Sequence, residues 1–237
     1  MAFNQQQTKR AQAVIVIVAL IAAVILAVVV LSGSLTPRGA TSPGSATSEN
    51  ATSGTAASST TASSSASSTS EGSMEDADAT YGTAAKQLEA KYEVDKSNPS
   101  ALLNLANGYF DWGAAAMSYA HTDDDSQHVV DLFTKAVGYY DTYLEQNPGS
   151  KSVIVDRAIS VFYTGDHAAA IQALESFTAN VDNAGFAPAW ANLGMFYETD
   201  GQTDQAKAAY QKAIDADAND TYQVKSYAQQ HLDALNQ

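Results

Sequence analysis

Residues 187–220, APAWANLGMFYETDGQTDQAKAAYQKAIDADAND, form the stretch that decides the fold. Large apolar side chains recur at helical spacing on both sides of a turn at Gly201. Small residues at Gly194 and Ala206 would let two helix axes approach closely, while the large side chains fill the space on either side. The stretch therefore predicts two antiparallel helices. Its large side chains are Trp190, Leu193, Tyr197 and Tyr210.

This spacing, W-x2-L-G-x2-Y followed by Ala206-x3-Tyr210 and Ala213, resembles the tetratricopeptide repeat family. One position departs from the family pattern, because Ala218 stands where the family usually ends its second helix with Pro. The resemblance implies an all-α solenoid of antiparallel helix pairs, with about three repeats and flanking helices. It also implies a domain that binds proteins.

A weaker copy of the repeat runs over residues 151–182, and its turn at Gly165 is equivalent to the turn at Gly201. Solenoid repeats contact only their neighbours, so each end of the array needs a cap with one polar face. We expect a helix over residues 76–94 to pack on the first repeat. A capping helix over residues 221–235 should close the last one.

A third unit covers residues 98–148 and is longer than one repeat. We expect its extra residues to lengthen both helices. Residues 100–120 should then pair with residues 126–146 across a loop at residues 121–125. Asn-Pro pairs mark both boundaries of this unit, where the residue before Pro is pushed out of helical geometry.

An unbroken run of 19 Ala, Val, Ile and Leu residues at 13–31 predicts a transmembrane helix. The alternative is a cleaved signal peptide, but the run is longer than the usual apolar region of one, and residues 30–34 form a poor cleavage site. Lys9 and Arg10 precede the run, so residues 1–12 should be cytoplasmic and the rest extracytoplasmic. We therefore expect a single-pass protein of the cell membrane.

A stripe of alanines in this run, Ala19, Ala23 and Ala27, would allow two such helices to approach closely. Chance spacing in an alanine-rich segment explains the stripe as well. Dimerisation through the transmembrane helix therefore stays an open alternative.

Residues 32–73 are mostly Ser, Thr, Ala and Gly and contain no aromatic residue. Such a segment buries too little apolar surface to offset its ordering entropy, so it is predicted to be a disordered linker. Its hydroxyl groups suit an O-glycosylated stalk, and an unmodified spacer is the alternative. The folded domain is predicted to cover residues 75–237.

The charge of the chain is strongly negative, at −14 overall. An acidic surface repels phosphate groups, so we expect no nucleic-acid partner. The absence of cysteine excludes disulfides, thiolate metal sites and covalent haem attachment.

No catalytic or cofactor motif is present, so we expect no enzyme, no cofactor and no metal site. His121 and His128 flank three aspartates, but an acidic loop with helix-capping Asp is the commoner meaning of this pattern. Residues 215–219 begin like a calcium-binding loop. Asp220 then stands where that loop needs Gly, and Ser226 stands where it needs Glu.

The family resemblance implies that the first helix of each pair lines a concave, partner-binding surface. In this chain the matching positions combine apolar anchors with acidic neighbours, which favours a basic, amphipathic peptide or helix as the ligand. The alternative is that the apolar members pack between repeats. The predicted partner-binding residues are Leu103, Asn107, Phe110, Asp111, Val155, Ile159, Phe162, Tyr163, Met195 and Glu198.

These features together predict a membrane-tethered scaffold that recruits or positions another protein. The alternative function is a subunit of a membrane-bound assembly or maturation machine, for cytochrome, pilus or cell-envelope biogenesis. Recovery of a stable multi-protein complex would favour that alternative.

Overall fold

The computed structural model describes residues 72–237, and this part of the chain forms eight helices and no strand. The first, α1, comprises Met74–Ala77, a π-helical turn at Asp78–Gly82 and Thr83–Val94. The others are α2 Pro99–Met117, α3 Asp123–Gln146, α4 Lys151–Tyr163, α5 His167–Ala179, α6 Ala187–Thr199, α7 Thr203–Ala216 and α8 Lys225–Leu235.

The helices pack in chain order as three antiparallel pairs, α2 with α3, α4 with α5, and α6 with α7. Helix α1 packs on α2, and α8 packs on α7 at the other end. The first helices of successive pairs also meet, since α4 contacts α6. The all-α solenoid that the sequence predicts is therefore confirmed for residues 72–237.

The closest approach in the third pair is made at Gly194. A Cβ atom added there would lie 2.7 Å from two ring carbons of Tyr210, which is fully buried. Ala206, on the facing helix, is also fully buried. Small residues at these two positions thus set the distance between α6 and α7.

Glycine makes the turn between the helices of the second and third pairs. Gly165 has φ 95° and Gly201 has φ 74°, in the left-handed region that side chains disfavour. The two turns are equivalent, as the sequence predicts, and they align the second and third pairs with an offset of 36 residues.

Helix α3 begins earlier than the sequence predicts, at Asp123 instead of Ser126. The reason is a capping box, in which the Asp125 amide donates to Thr122 Oγ1 (3.1 Å) and the Thr122 amide donates to Asp125 Oδ2 (3.0 Å). Aspartates in a first turn also interact favourably with the helix dipole. The residues expected to form a loop therefore belong mostly to the helix.

Helix α8 begins at Lys225, four residues after the predicted start at Thr221. The intervening turn is organised by the buried carboxylate of Asp217, which accepts hydrogen bonds from the amides of Tyr222 and Val224, each at 2.9 Å. Asp217 thus has a structural role in joining α7 to α8.

No helix within residues 72–237 is both long enough and apolar enough to cross a membrane. The predicted transmembrane helix at 13–31 and the predicted linker, up to residue 71, lie outside the described residues.

Candidate functional site

The predicted partner-binding residues all lie on the first helices α2, α4 and α6, but most of them are buried. Only four are partly exposed, and these are Leu103, Asp111, Tyr163 and Glu198. The buried members are Asn107, Phe110, Val155, Ile159, Phe162 and Met195.

The buried aromatic members fill space between helices. Phe162 stacks on Phe196 of the next first helix, with ring centroids 4.2 Å apart, and on His167 at 4.1 Å. Phe110 meets Phe133 edge to face at 5.6 Å. The expectation that Phe110 and Phe162 are exposed on a concave surface is therefore wrong, because aromatic packing between helices uses their rings.

Asn107 is bound inside the fold. Its side-chain oxygen accepts a hydrogen bond from the buried hydroxyl of Tyr140 at 2.8 Å, which links α2 to α3. Asn192 is likewise buried and donates to the carbonyl of Pro188 at 2.8 Å. Both amide side chains therefore bond within the fold.

Glu198 joins three helices. Its Oε2 atom accepts a hydrogen bond from Tyr210 of α7 at 2.6 Å and lies 2.8 Å from His231 Nδ1 of α8. Burial alone would raise the pKa of the Glu198 carboxyl, but the hydrogen bonds from His231 and Tyr210 outweigh it, and the pKa is lowered. This carboxylate therefore holds the end of the array together.

Tyr163 lies at the end of α4 and is partly exposed. Its ring stacks on Phe133 with centroids 5.0 Å apart, and burial of the hydroxyl raises its pKa. Tyr163 thus combines a packed ring with a remaining exposed edge on the side of the first helices.

A concavity lies on the side of the second helices, between α5 and α7. We call it the α5–α7 groove, and it has a volume of about 910 Å³. Helix α6 forms its floor, and the link between α5 and α6 contributes to one wall. The lining residues are Glu175, Thr178, Ala179, Ala184, Gly185, Trp190, Leu193, Tyr197, Gln205, Ala208, Ala209, Lys212, Asp215 and Ala216.

Polar contacts fix the large side chains of this floor. The Trp190 indole N–H donates to the carbonyl of Ala184 at 2.8 Å, and the Lys212 ammonium lies 4.2 Å above the Trp190 ring. The Tyr197 hydroxyl donates to Glu175. Burial, together with this bond and the Glu175 charge, raises the pKa of Tyr197 to about 12. The floor therefore has a fixed shape, and this hydroxyl stays protonated at neutral pH.

Residues 187–220, which contribute most of this floor, match the family model described as tetratricopeptide repeat. Residues 187–220 form a tetratricopeptide repeat. The resemblance read from the sequence is thereby confirmed. No curated protein gives a significant match to the chain.

Two solved structures are similar to this chain at low identity. One is a MamA RS-1 ArsTM double mutant, at 20% identity over 67% of this chain and 75% of that chain, with a TM-score of 0.47. The other is a thermophilic TPR protein in Thermus thermophilus, at 18% identity over 62% and 90%, with a TM-score of 0.39. These likenesses carry no information on function.

The α5–α7 groove of this tetratricopeptide domain was not predicted from the sequence. Two signals for it were present, a seven-residue link at 180–186 where the preceding link at 147–150 has four residues, and a lysine in reach of Trp190. Within residues 72–237, no group of three or more His, Asp or Glu side chains is placed to hold a metal. The groove is suited to binding a side chain or a short segment of another molecule.

Proposed function

We propose that this protein is a membrane-tethered scaffold that binds a partner protein through its tetratricopeptide domain. The observation that carries the proposal is the repeat at residues 187–220, since tetratricopeptide domains mediate protein–protein interactions. The two helix pairs before it and the single helix α8 after it extend the same packing.

The sequence contains no catalytic motif, and the titratable groups of the described domain support a binding role over a catalytic one. The clearly raised pKa values in residues 72–237 belong to tyrosines whose hydroxyls are desolvated, which makes them poorer proton donors at neutral pH. Perturbed groups of an active site are usually tuned toward neutrality instead. We therefore propose that the protein is not an enzyme.

The proposal of a membrane tether rests on the sequence that precedes the domain. The apolar run at 13–31 is long enough to span a bilayer, and the Ser- and Thr-rich segment after it has a root-mean-square span of roughly 35 Å as a flexible coil. A domain held in this way meets membrane-bound partners at a raised effective concentration. The proposed location is the extracytoplasmic side of the cell membrane.

Photocrosslinking in the native cells tests the binding role. A photoreactive amino acid is placed in the full-length chain at Thr199, on the side of the first helices, or at Gln205, in the α5–α7 groove; both positions are exposed. We expect a discrete crosslinked protein from at least one position. Absence of a discrete product from both positions, in a chain that is expressed and folded, would contradict the proposal.

The same experiment on a chain that lacks residues 1–31 tests the tether. We expect the shortened chain to leave the membrane fraction and to give less crosslinked product. Co-migration of the full-length chain with a fixed set of proteins after mild solubilisation would favour the assembly-machine alternative over a recruiting scaffold.

A further inference from the structure

At one position of its floor the α5–α7 groove has an apolar side chain where the preceding pair has a charged one. The 36-residue offset between the turns aligns Leu193 with Arg157 of α4. There the Arg157 guanidinium donates to the Asp141 carboxylate of α3, so an ion pair joins α4 to α3 at this position. Leu193 cannot form such a bridge. The floor of the third pair therefore has a largely buried apolar side chain where the second pair has a charged one.

The longer link between α5 and α6 accompanies the open groove. Its residues 180–186 are held in place, since the Asp182 amide donates to Asn180 Oδ1 at 2.9 Å and Asn183 donates to the carbonyl of Phe177 at 3.2 Å. Ala184 and Gly185 of this link line the groove, and both are exposed.

The charges around the groove indicate that its ligand is positively charged. Glu175 and Asp215 are the acidic lining residues, while the single lysine of the lining, Lys212, is engaged with the Trp190 ring. Each carboxylate accepts one hydrogen bond from a neighbouring side chain, which leaves acceptor sites for a second donor. The described domain as a whole is also acidic, with nine Lys and Arg against 24 Asp and Glu from residue 74 onward.

The two acids stand toward different ends of the floor. Glu175 contacts Tyr197 in the last turns of α6. Asp215 lies near the end of α7, and because α6 and α7 are antiparallel, this end lies beside the start of α6, where Trp190 stands. Seven residues of helix separate Trp190 from Tyr197, about 10 Å along the axis. Two turns of a helix, or three extended residues, match this length.

We infer that the α5–α7 groove binds a short partner segment in which aliphatic side chains are flanked by Lys or Arg. The aliphatic side chains would lie on the partly exposed Trp190 ring and beside the exposed Ala208, and the flanking cations would lie near Glu175 and Asp215. This inference rests on the proposed function and names the surface and the partner chemistry for it.

Fluorescence of Trp190 provides a direct readout. The chain has two tryptophans, so in a Trp112→Phe background the emission reports on Trp190 alone. The full-length chain, in nanodiscs of zwitterionic lipid, is titrated with three synthetic helical peptides. The first has leucines flanked by lysines, the second has glutamates in place of the lysines, and the third has serines in place of the leucines. Empty nanodiscs with the same peptides give the blank.

We expect saturable binding of the lysine–leucine peptide that weakens with added salt, and at least about tenfold weaker binding of the other two. Ala208 is an exposed lining position on α7, and Ala208→Arg should weaken the binding of the lysine–leucine peptide by about tenfold or more. Ala168→Arg, an equally exposed alanine on α5 outside the lining, is the matched control and should not. Glu175→Gln combined with Asp215→Asn should reduce the salt dependence, whereas Glu145→Gln should leave it unchanged.

Equal binding of the lysine and glutamate peptides would overturn the inference, as would an Ala208→Arg chain that folds and binds like the parent. A Trp190 signal that depends on the concentration of the chain alone would also overturn it, because the groove would then be covered by a second copy. If Ala208→Arg fails to fold, the paired acid substitutions decide, and an unchanged salt dependence counts against the inference. None of these results bears on whether Thr199 crosslinks to a partner in cells, so failure here is distinct from failure of the proposed function.

Discussion

The contact between Gly194 and Tyr210 predicts that adding a single methyl group will destabilise the domain. Alanine normally stabilises a helix interior by about 0.5–1 kcal/mol relative to glycine. At Gly194, however, the new Cβ would stand 2.7 Å from two carbons of the Tyr210 ring and 3.0 Å from a third, where about 3.4–4 Å is ordinary contact. The sign of the effect depends on whether the ring can move.

The Tyr210 ring has little freedom to move. It is fully buried, its hydroxyl donates to Glu198 at 2.6 Å, and the rings of Tyr227 and His231 stand 6.1 and 5.3 Å away. Overpacking a well-filled core costs about 1–3 kcal/mol. After the intrinsic gain of alanine is subtracted, we expect Gly194→Ala to lower the free energy of unfolding by about 1–2 kcal/mol.

Gly138 provides the matched control. It is an exposed glycine in the interior of α3, and an added Cβ would meet nothing within 4 Å. Gly138→Ala should therefore raise the free energy of unfolding by about 0.5–1 kcal/mol. Urea unfolding followed by far-ultraviolet circular dichroism gives both values. If the two substitutions stabilise the protein equally, the close approach of α6 and α7 at Gly194 is refuted.

Three further predictions concern residues that the sequence pattern offered as functional or that join the last helices. Phe162→Ala should lower the free energy of unfolding by about 3–5 kcal/mol, because it leaves a cavity in the core. A urea midpoint within error of the parent would instead favour a partner-binding role for Phe162. The pKa of Glu198 is lower in the folded state, so its contribution to stability is present above 4.5, the ordinary pKa of a glutamate, and is lost as the pH falls through the folded pKa. Glu198→Gln should therefore flatten the acid side of the stability profile, and an unchanged profile in urea titrations across pH would contradict this. Asp217→Asn should leave one of the two amides, of Tyr222 or of Val224, facing an N–H donor or without a partner, which costs about 1–3 kcal/mol. Hydrogen exchange should then show α8 opening first, and uniform exchange across the domain would argue against it.

The sequence was sufficient for the parts of the fold that depend on close packing and on backbone conformation. Gly194 is packed against a large side chain of the facing helix, which is Tyr210. The repeat pattern places this tyrosine four residues after the small Ala206. The glycines at 165 and 201 mark turns that need positive φ. These requirements are local, so a pattern of residue types records them.

The binding surface was harder to predict because burial depends on distant parts of the chain. A first-helix aromatic such as Phe162 could face a ligand or the next first helix, and the outcome depends on Phe196, 34 residues later, which stacks on it. The groove was missed for a related reason. It is lined by residues of α5, α6, α7 and the link at 180–186, which do not form a motif in the sequence.

Crosslinking in intact cells tests most directly whether the α5–α7 groove binds the partner. The photoreactive amino acid at Gln205 is introduced into the full-length chain together with Ala208→Arg or with the control Ala168→Arg, and the yield of crosslinked partner is measured in intact cells. We expect Ala208→Arg to lower the yield by about tenfold while the control matches the parent, with equal folding of all three chains by circular dichroism. An Ala208→Arg chain that captures the same partner in the same yield would contradict it.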